Sequence, residues 1–109
     1  MRYSYQAEKL SSARLALMLP HTRGEAESIA SAFHELSLAF HQLDVHALGD
    51  SAQRWVNKLQ DYMDTTGLSD PKGEGTWVIK ARTLSTDDQL EISHAVDELA
   101  HWFDGEDDI

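Results

Sequence analysis

The chain has 109 residues, a mass of 12.3 kDa and a formal charge of −10 at neutral pH. A chain of this length forms one domain and buries about 65% of the surface that its unfolded form exposes, which excludes a two-domain enzyme. The content of 41% apolar and 26% charged residues is typical of globular proteins and excludes wholesale disorder. The absence of cysteine excludes disulfides, thiolate nucleophiles, iron–sulfur clusters and cysteine-bound zinc.

The charge is spread unevenly along the chain. Residues 84–109 contain nine Asp and Glu residues and no Lys or Arg, whereas residues 1–23 contain four basic residues and one acidic residue. Because phosphate backbones and anionic membranes are bound through Lys and Arg, we expect no nucleic-acid partner and no membrane partner. The first residues lack the apolar core of a signal peptide, so the sequence predicts a cytoplasmic protein.

The first half of the chain has an apolar period of about 3.6 residues, which predicts two helices. The first covers about Ser4 to Met18 and ends before Pro20. The second covers about Glu25 to Val45 and carries apolar residues on two sides, so we expect it to contact two neighbours. The short connections after the first and second helices predict that the first helix packs antiparallel to the second, and the second antiparallel to the third.

The second half of the chain has the same period in two further segments. Asp50 is the predicted N-cap of a third helix, which ends near Thr65, and Ser85 is the predicted cap of a fourth. The predicted core includes Phe40 on the second helix and Trp55 and Tyr62 on the third. Removing Phe40 or Trp55 should cost about 3 to 5 kcal/mol. Residues 104–109 are predicted to form a frayed acidic tail.

Residues 68–83 depart from the helical pattern. Turn-forming residues precede Thr76-Trp77-Val78-Ile79-Lys80-Ala81, which is rich in strand formers and predicts one short extended segment over residues 76–81. A strand needs a partner, which would be either residues 2–5 or the same segment of a second copy in a homodimer. The sequence thus predicts an all-α, small four-helix bundle over residues 1–109, with one short extended segment between its third and fourth helices.

The extended segment also provides candidates for a partner surface. Trp77, Val78 and Ile79 would place large apolar groups on both faces of a strand, and Trp is common at interface hot spots. The alternative is that Trp77 and Ile79 close one end of the bundle. His34 and His41 lie seven residues apart on one side of the second helix, where they line either a half-buried flank or an interface.

Two patterns invite comparison with metal sites. His34 begins the His-Glu-x-x-His arrangement of zinc proteases, but Leu38 stands where the second histidine is required. Two Glu-x-x-His units follow each other on the predicted fourth helix, as in di-metal bundles, yet both share one helix and its solvent side. The weak metal candidates are Glu91, His94, Glu98 and His101. No catalytic residue and no cofactor is predicted.

Three function classes follow from these observations. The leading hypothesis is a non-enzymatic protein-interaction domain, a small acidic adaptor, regulator or chaperone-like subunit, acting as a homodimer or with an unknown protein partner. The second is a small metal- or ligand-binding enzyme that uses the histidines and glutamates of the second and fourth predicted helices. The third is an acidic DNA mimic, in which the acids of residues 84–109 imitate a row of phosphates.

Overall fold

The computed structural model describes residues 3–18, 24–41 and 43–107. This part of the chain is helical and contains no strand, so the all-α prediction is confirmed. It has five α-helices rather than four. They are α1 (Ser4–Met18), α2 (Glu25–Phe40), α3 (Asp50–Met63), α4 (Thr76–Arg82) and α5 (Thr86–Asp107), with a 3₁₀ turn at Val45–Ala47 between α2 and α3.

The first two helices follow the apolar pattern with one difference. The bounds predicted for α1 are confirmed, although Pro20, its predicted stop, lies outside the described residues. The second helix ends at Phe40 and not near Val45, because the backbone turns to an extended conformation at His41. The Asp44 side chain then accepts a hydrogen bond from the His46 N–H at 3.2 Å and starts the 3₁₀ turn.

The extended segment predicted over residues 76–81 is wrong, because α4 occupies it. Gly75, with a φ of +100°, turns the chain into this helix. Val78 and Ala81, three residues apart, are both buried as α4 packs against α2. Strand propensity is a weak preference that tertiary packing overrides. Of the two partners predicted for the strand, the segment of residues 2–5 is helical from Ser4 onward.

The starts of α3 and α5 differ in how they are capped. Gly49 and not Asp50 is the N-cap of α3, and Asp50 is instead its first residue, where a carboxylate favours the positive end of the helix dipole. The predicted cap of α5 is confirmed. The Asp88 N–H donates to Ser85 Oγ at 3.1 Å, and the Ser85 N–H donates to Asp88 Oδ2 at 3.0 Å, which together form a reciprocal capping box.

The helices pack in the spatial order α4, α2, α1, α5, α3. The second helix lies between α1 and α4, which confirms that it has two neighbours, and α5 lies between α1 and α3. The expectation that α2 and α3 are neighbours is wrong: α3 packs mainly against α5. The nine-residue connection, with its 3₁₀ turn, carries the chain to the far side of α5.

The core is apolar throughout the described part of the chain, where no polar or charged residue is buried. Its largest fully buried side chains are Phe33, Phe103, Leu10, Leu36, Leu59, Ile92, Leu99, Val56 and Val96. Phe40 and Trp55, predicted as core residues, are only partly buried and pack at its edge. The α5 backbone continues to Asp107; Asp108 and Ile109 lie outside the described residues, so the acidic tail stays a prediction.

Candidate functional site

A groove of about 880 Å³ lies between α3, the corner that joins α4 to α5, and the first turns of α5. This volume falls within the range of ligand sites in proteins. Aromatic and charged side chains dominate the lining. They are Arg54, Trp55, Lys58, Asp61, Tyr62, Lys80, Asp88 and Glu91, with Asn57, Thr83 and Leu84 completing the wall.

Helical spacing explains how one wall of the groove forms. On α3, the lining residues Arg54, Lys58 and Asp61 recur at steps of four and three, which places them on one face. The opposite face of α3 buries small and branched apolar side chains, among them Val56 and Leu59. The apolar face of α3 packs against α5. The aromatic and charged face of α3 therefore points toward the groove.

A polar cluster joins α3 to α5 at the edge of the groove. Tyr62 Oη donates a hydrogen bond to Glu91 Oε1 at 2.7 Å and lies 3.4 Å from Asp88 Oδ1. Lys58 Nζ is 3.1 Å from the same Glu91 oxygen. One carboxylate of α5 thus receives two donors from α3, which fixes the position of both helices at this edge.

These contacts shift the pKa values of the cluster in opposite directions. The hydrogen bond from Tyr62, with that from Lys58, lowers the pKa of Glu91. The same bond to Glu91, followed by desolvation, raises the pKa of Tyr62 far above its ordinary value. The backbone N–H of Ser85 lowers the pKa of Asp88. At neutral pH the cluster therefore holds two ionised carboxylates and a neutral phenol.

The charge of the groove differs from that of the rest of the chain. Its lining residues contain three basic and three acidic side chains, whereas the remainder of the chain has a net charge of −10. Arg54 and Lys80 form no ion pair within the described residues. Lys58 lies over the Trp55 ring, 5.7 Å from its centroid, so an aromatic surface adjoins the cations.

The predicted partner-surface residues lie apart from this groove. The Trp77 indole N–H donates to the Met63 carbonyl at 3.1 Å, and its ring meets Phe33 edge to face. Val78 is buried and Ile79 is partly buried, so α4 uses this segment mainly for packing. The two predicted histidines, His34 on α2 and His41 at its end, are exposed and do not line the groove.

The weak metal candidates are not gathered into one site. Glu91 faces the groove, whereas the His94 ring packs edge-on to Trp55 and its Nε2 lies 4.0 Å from Glu98 Oε1. His101 is exposed. Among the residues that the structure describes, no three His, Asp or Glu side chains are placed to hold a metal ion.

The sequence predicts Glu91 as a weak metal candidate and Trp55 and Tyr62 as core residues, and it does not predict the groove. The signal that was available is the charged and aromatic face of α3, where Lys58 stands one turn from both Arg54 and Tyr62. Nothing in the sequence says that this face meets Lys80 and Glu91, because that contact depends on the helix order.

Comparison with known proteins assigns no family. The sequence matches no protein-family model, and searches of curated proteins and of solved structures find no match. No described helix combines the length and the apolar character that crossing a membrane requires. The groove and the chemistry of its residues are therefore the basis for a function.

Proposed function

We propose that the protein is a non-enzymatic interaction domain and that a partner protein binds it in the groove between α3 and α5. The observation that carries this proposal is the groove's lining, which combines an aromatic surface with two unpaired cations, Arg54 and Lys80, on a chain that is otherwise strongly acidic. Aromatic and Arg side chains are enriched at protein interfaces.

The pKa shifts in the groove support binding rather than catalysis. A general base that works near neutral pH needs a raised carboxyl pKa, and a general acid needs a lowered phenol pKa. Glu91 and Asp88 are shifted downward and Tyr62 is shifted upward, which is the opposite of both requirements. These side chains hold the walls of the groove together and are poorly suited to exchanging protons with a substrate.

The predicted homodimer needs a different basis from strand pairing. Residues 76–81 are helical, and Val78 is buried within the chain, so this segment presents no strand edge to a second copy. A homodimer through another surface stays a prediction. The groove binds a partner chain of another kind in this proposal, and a second copy in the groove is one outcome that the test below detects.

The test compares capture of a partner by the wild type and by a groove variant. We expect a polypeptide from the host cell to bind the wild type in a fixed ratio in native mass spectra. The double variant Arg54→Gln/Lys80→Gln should lose it, because both changes remove charges that contact the partner. The control Lys72→Gln removes an exposed, unpaired lysine outside the groove and should retain the partner.

Two results contradict the proposal. The first is a stoichiometric partner that the double variant binds as well as the wild type does. The second is a groove that stays accessible in the complex, shown by equal acetylation of Lys58 and Lys80 with and without the partner. Thermal unfolding of all three proteins serves as the fold control. The side chains of Arg54 and Lys80 form no hydrogen bond or ion pair within the described residues, and the Lys80 charge acts on Asp64 and Asp88 only at longer range.

A further inference from the structure

We propose that the outer face of α1 is a self-association surface, on which a second copy of the chain packs its own α1 in the antiparallel direction. Three observations carry this inference: the apolar side chains exposed on that face, the spacing of its residues and its low charge on a strongly acidic chain. The inference does not depend on the proposed function, because no residue of α1 lines the groove.

Most of the large apolar side chains exposed in the described part of the chain lie on one helix. Tyr5, Leu15 and Met18 of α1 are 48%, 57% and 67% exposed, and the fourth such residue is Leu90 on α5. The opposite side of α1 buries three further apolar residues as it packs against α2 and α5. This helix is therefore apolar on its outer side as well as on its inner side.

The exposed residues of α1 recur at the spacing of a seam between two helices. Ser4, Glu8, Ser11, Leu15 and Met18 are all exposed and follow each other at steps of four and three. Such a stripe is the pattern by which two helices interlock their side chains along their length. Its first half is polar and its second half is apolar, so the two ends of the stripe differ.

The charge of α1 also differs from that of the acidic surface. The helix contains Glu8, Lys9 and Arg14 and has a net charge of +1, whereas α5 contains eight acidic residues and no Lys or Arg. Of the three, Glu8 is the one that belongs to the exposed stripe. Two copies that each carry a charge of −10 repel each other less when they approach through α1 than through α5.

Glu8 also indicates the direction of the pairing. Parallel helices would place the two Glu8 carboxylates opposite each other, and Glu8 forms no ion pair within the described residues. Antiparallel helices that cross near Ser11 separate the two carboxylates by about 9 Å along the helix axis. They also bring Tyr5 of one copy beside Leu15 and Met18 of the other, and a two-fold axis makes both of these contacts at once.

The size of the face sets the expected affinity. The 15 residues of α1 span about 22 Å at about 1.5 Å per residue. Contact along one helix of this length buries well under the roughly 1,600 Å² of a standard interface. We therefore expect a weak dimer, with a dissociation constant on the order of 0.1 mM. Raising the salt concentration should strengthen it, because screening reduces the repulsion between two acidic chains.

Sedimentation equilibrium of the full chain, at about 0.01 to 1 mM, tests the dimer and its location. Leu15→Lys should weaken self-association about tenfold or more, because it places a charge in the apolar half of the stripe. Leu90→Lys is the matched control, since it makes the same change at an exposed leucine of α5, and it should associate as the wild type does. Lys and Leu have similar helix propensities, so both variants should keep the wild-type melting temperature.

Single cysteines test the direction of the helices. The chain has no cysteine, so an introduced thiol can pair only with its counterpart in a second copy. Ser11→Cys lies near the crossing point and should give a disulfide-linked dimer under mild oxidation. Ser4→Cys should not, because antiparallel packing places the two Ser4 positions about 21 Å apart, too far for a disulfide.

Three results contradict the inference. A wild type that stays monomeric at about 1 mM overturns it. A dimer that Leu90→Lys weakens as much as Leu15→Lys does is not formed through α1. If Ser4→Cys cross-links as readily as Ser11→Cys, the antiparallel arrangement is wrong. The proposed function is tested separately, because the Arg54→Gln/Lys80→Gln variant leaves α1 unchanged.

Discussion

The two sides of α5 are held to their neighbours by different chemistry. Toward α1, the rings of Tyr3, Trp102 and Phe103 pack with centroids 5.2 to 5.7 Å apart. Toward α3, the outer edge is closed by the Tyr62 and Lys58 contacts to Glu91. The α1 side also carries one exposed ion pair, Arg14–Asp97 at 2.7 Å. Its ring contacts depend on apolar burial, which neither salt nor mild acid weakens, whereas the contacts to Glu91 depend on charges that both can change.

This difference explains where the groove lies. The pocket on the α1 side of α5, beside Arg14 and Asp97, is smaller, at about 190 Å³, because a gap among packed apolar groups forfeits contacts. A polar edge can stay open to water, since its groups are satisfied by each other and by solvent. Beneath that edge, Val56 and Leu59 are fully buried, so α3 stays attached while its outer face is free for a partner.

The largest predicted effect tests the aromatic side. Phe103→Ala should lower the free energy of unfolding by about 3 to 5 kcal/mol, because the ring is fully buried and a cavity would remain. Urea unfolding followed by circular dichroism measures this loss. Phe40→Ala is the control, and its loss should be smaller because that ring is only partly buried. Equal losses would mean that the greater burial of Phe103 adds nothing to its contribution to stability.

The sequence is a good guide to most helices and a poor guide to residues 76–81. The 3.6-residue period predicts α1 correctly, because a one-sided apolar stripe has a single helical solution. Residues 76–79 favour extended structure, which predicts a strand, yet in the structure Trp77 contacts the Met63 carbonyl and Phe33 from a helix packed on α2. Such long-range contacts leave no local pattern.

The groove is even harder to predict from the sequence than the conformation of residues 76–81. Its walls come from α3, the α4–α5 corner and α5, and the sequence predicts neither α4 nor the packing of α3 on α5. Glu91 illustrates the consequence. The sequence places Glu91 three residues before His94 on one helix, whereas its observed partners, Tyr62 and Lys58, belong to another helix.

The second prediction concerns the N-terminal cap of α5. Ser85→Ala should cost about 0.5 to 2 kcal/mol, because the Asp88 N–H loses its acceptor and half of the capping box disappears. Thermal unfolding measures the change. Ser93→Ala, an exposed position within α5, is the matched control and should be close to neutral. A neutral Ser85→Ala would show that the capping box does not stabilise α5.

The third prediction tests the polar edge directly. Tyr62→Phe removes one hydrogen bond to Glu91 and keeps the ring, so we expect a loss of about 0.5 to 1.5 kcal/mol. The raised pKa of Tyr62 adds a second readout. Its stabilising contribution is present below the ordinary phenol pKa and is lost as pH rises through the folded value. The latest part of the phenolate absorbance rise in alkaline titration should therefore vanish in Tyr62→Phe.

The smallest predicted effect, that of Glu91→Gln on the melting temperature, depends on pH. It therefore distinguishes the polar edge of α5 from its aromatic side most clearly. The folded-state pKa of Glu91 lies below its ordinary value of 4.5, so its contribution is present above about pH 4.5 and is lost as pH falls through the folded value. Glu91→Gln should therefore melt slightly below the wild type at neutral pH, and the two melting temperatures should converge in acid. Phe103→Ala should stay below the wild type at every pH, because no titrating group is removed.

Glu98→Gln separates the charge of α5 from the contacts of Glu91. It removes one negative charge from the same helix and leaves the Tyr62 hydrogen bond intact, so it should not reproduce the loss at neutral pH. If Glu91→Gln instead keeps its full deficit in acid, the Glu91 side chain supports α3 through packing and not through its charge. The polar edge would then behave like the aromatic side, and the chemical difference between the two sides of α5 would no longer explain why the groove is open.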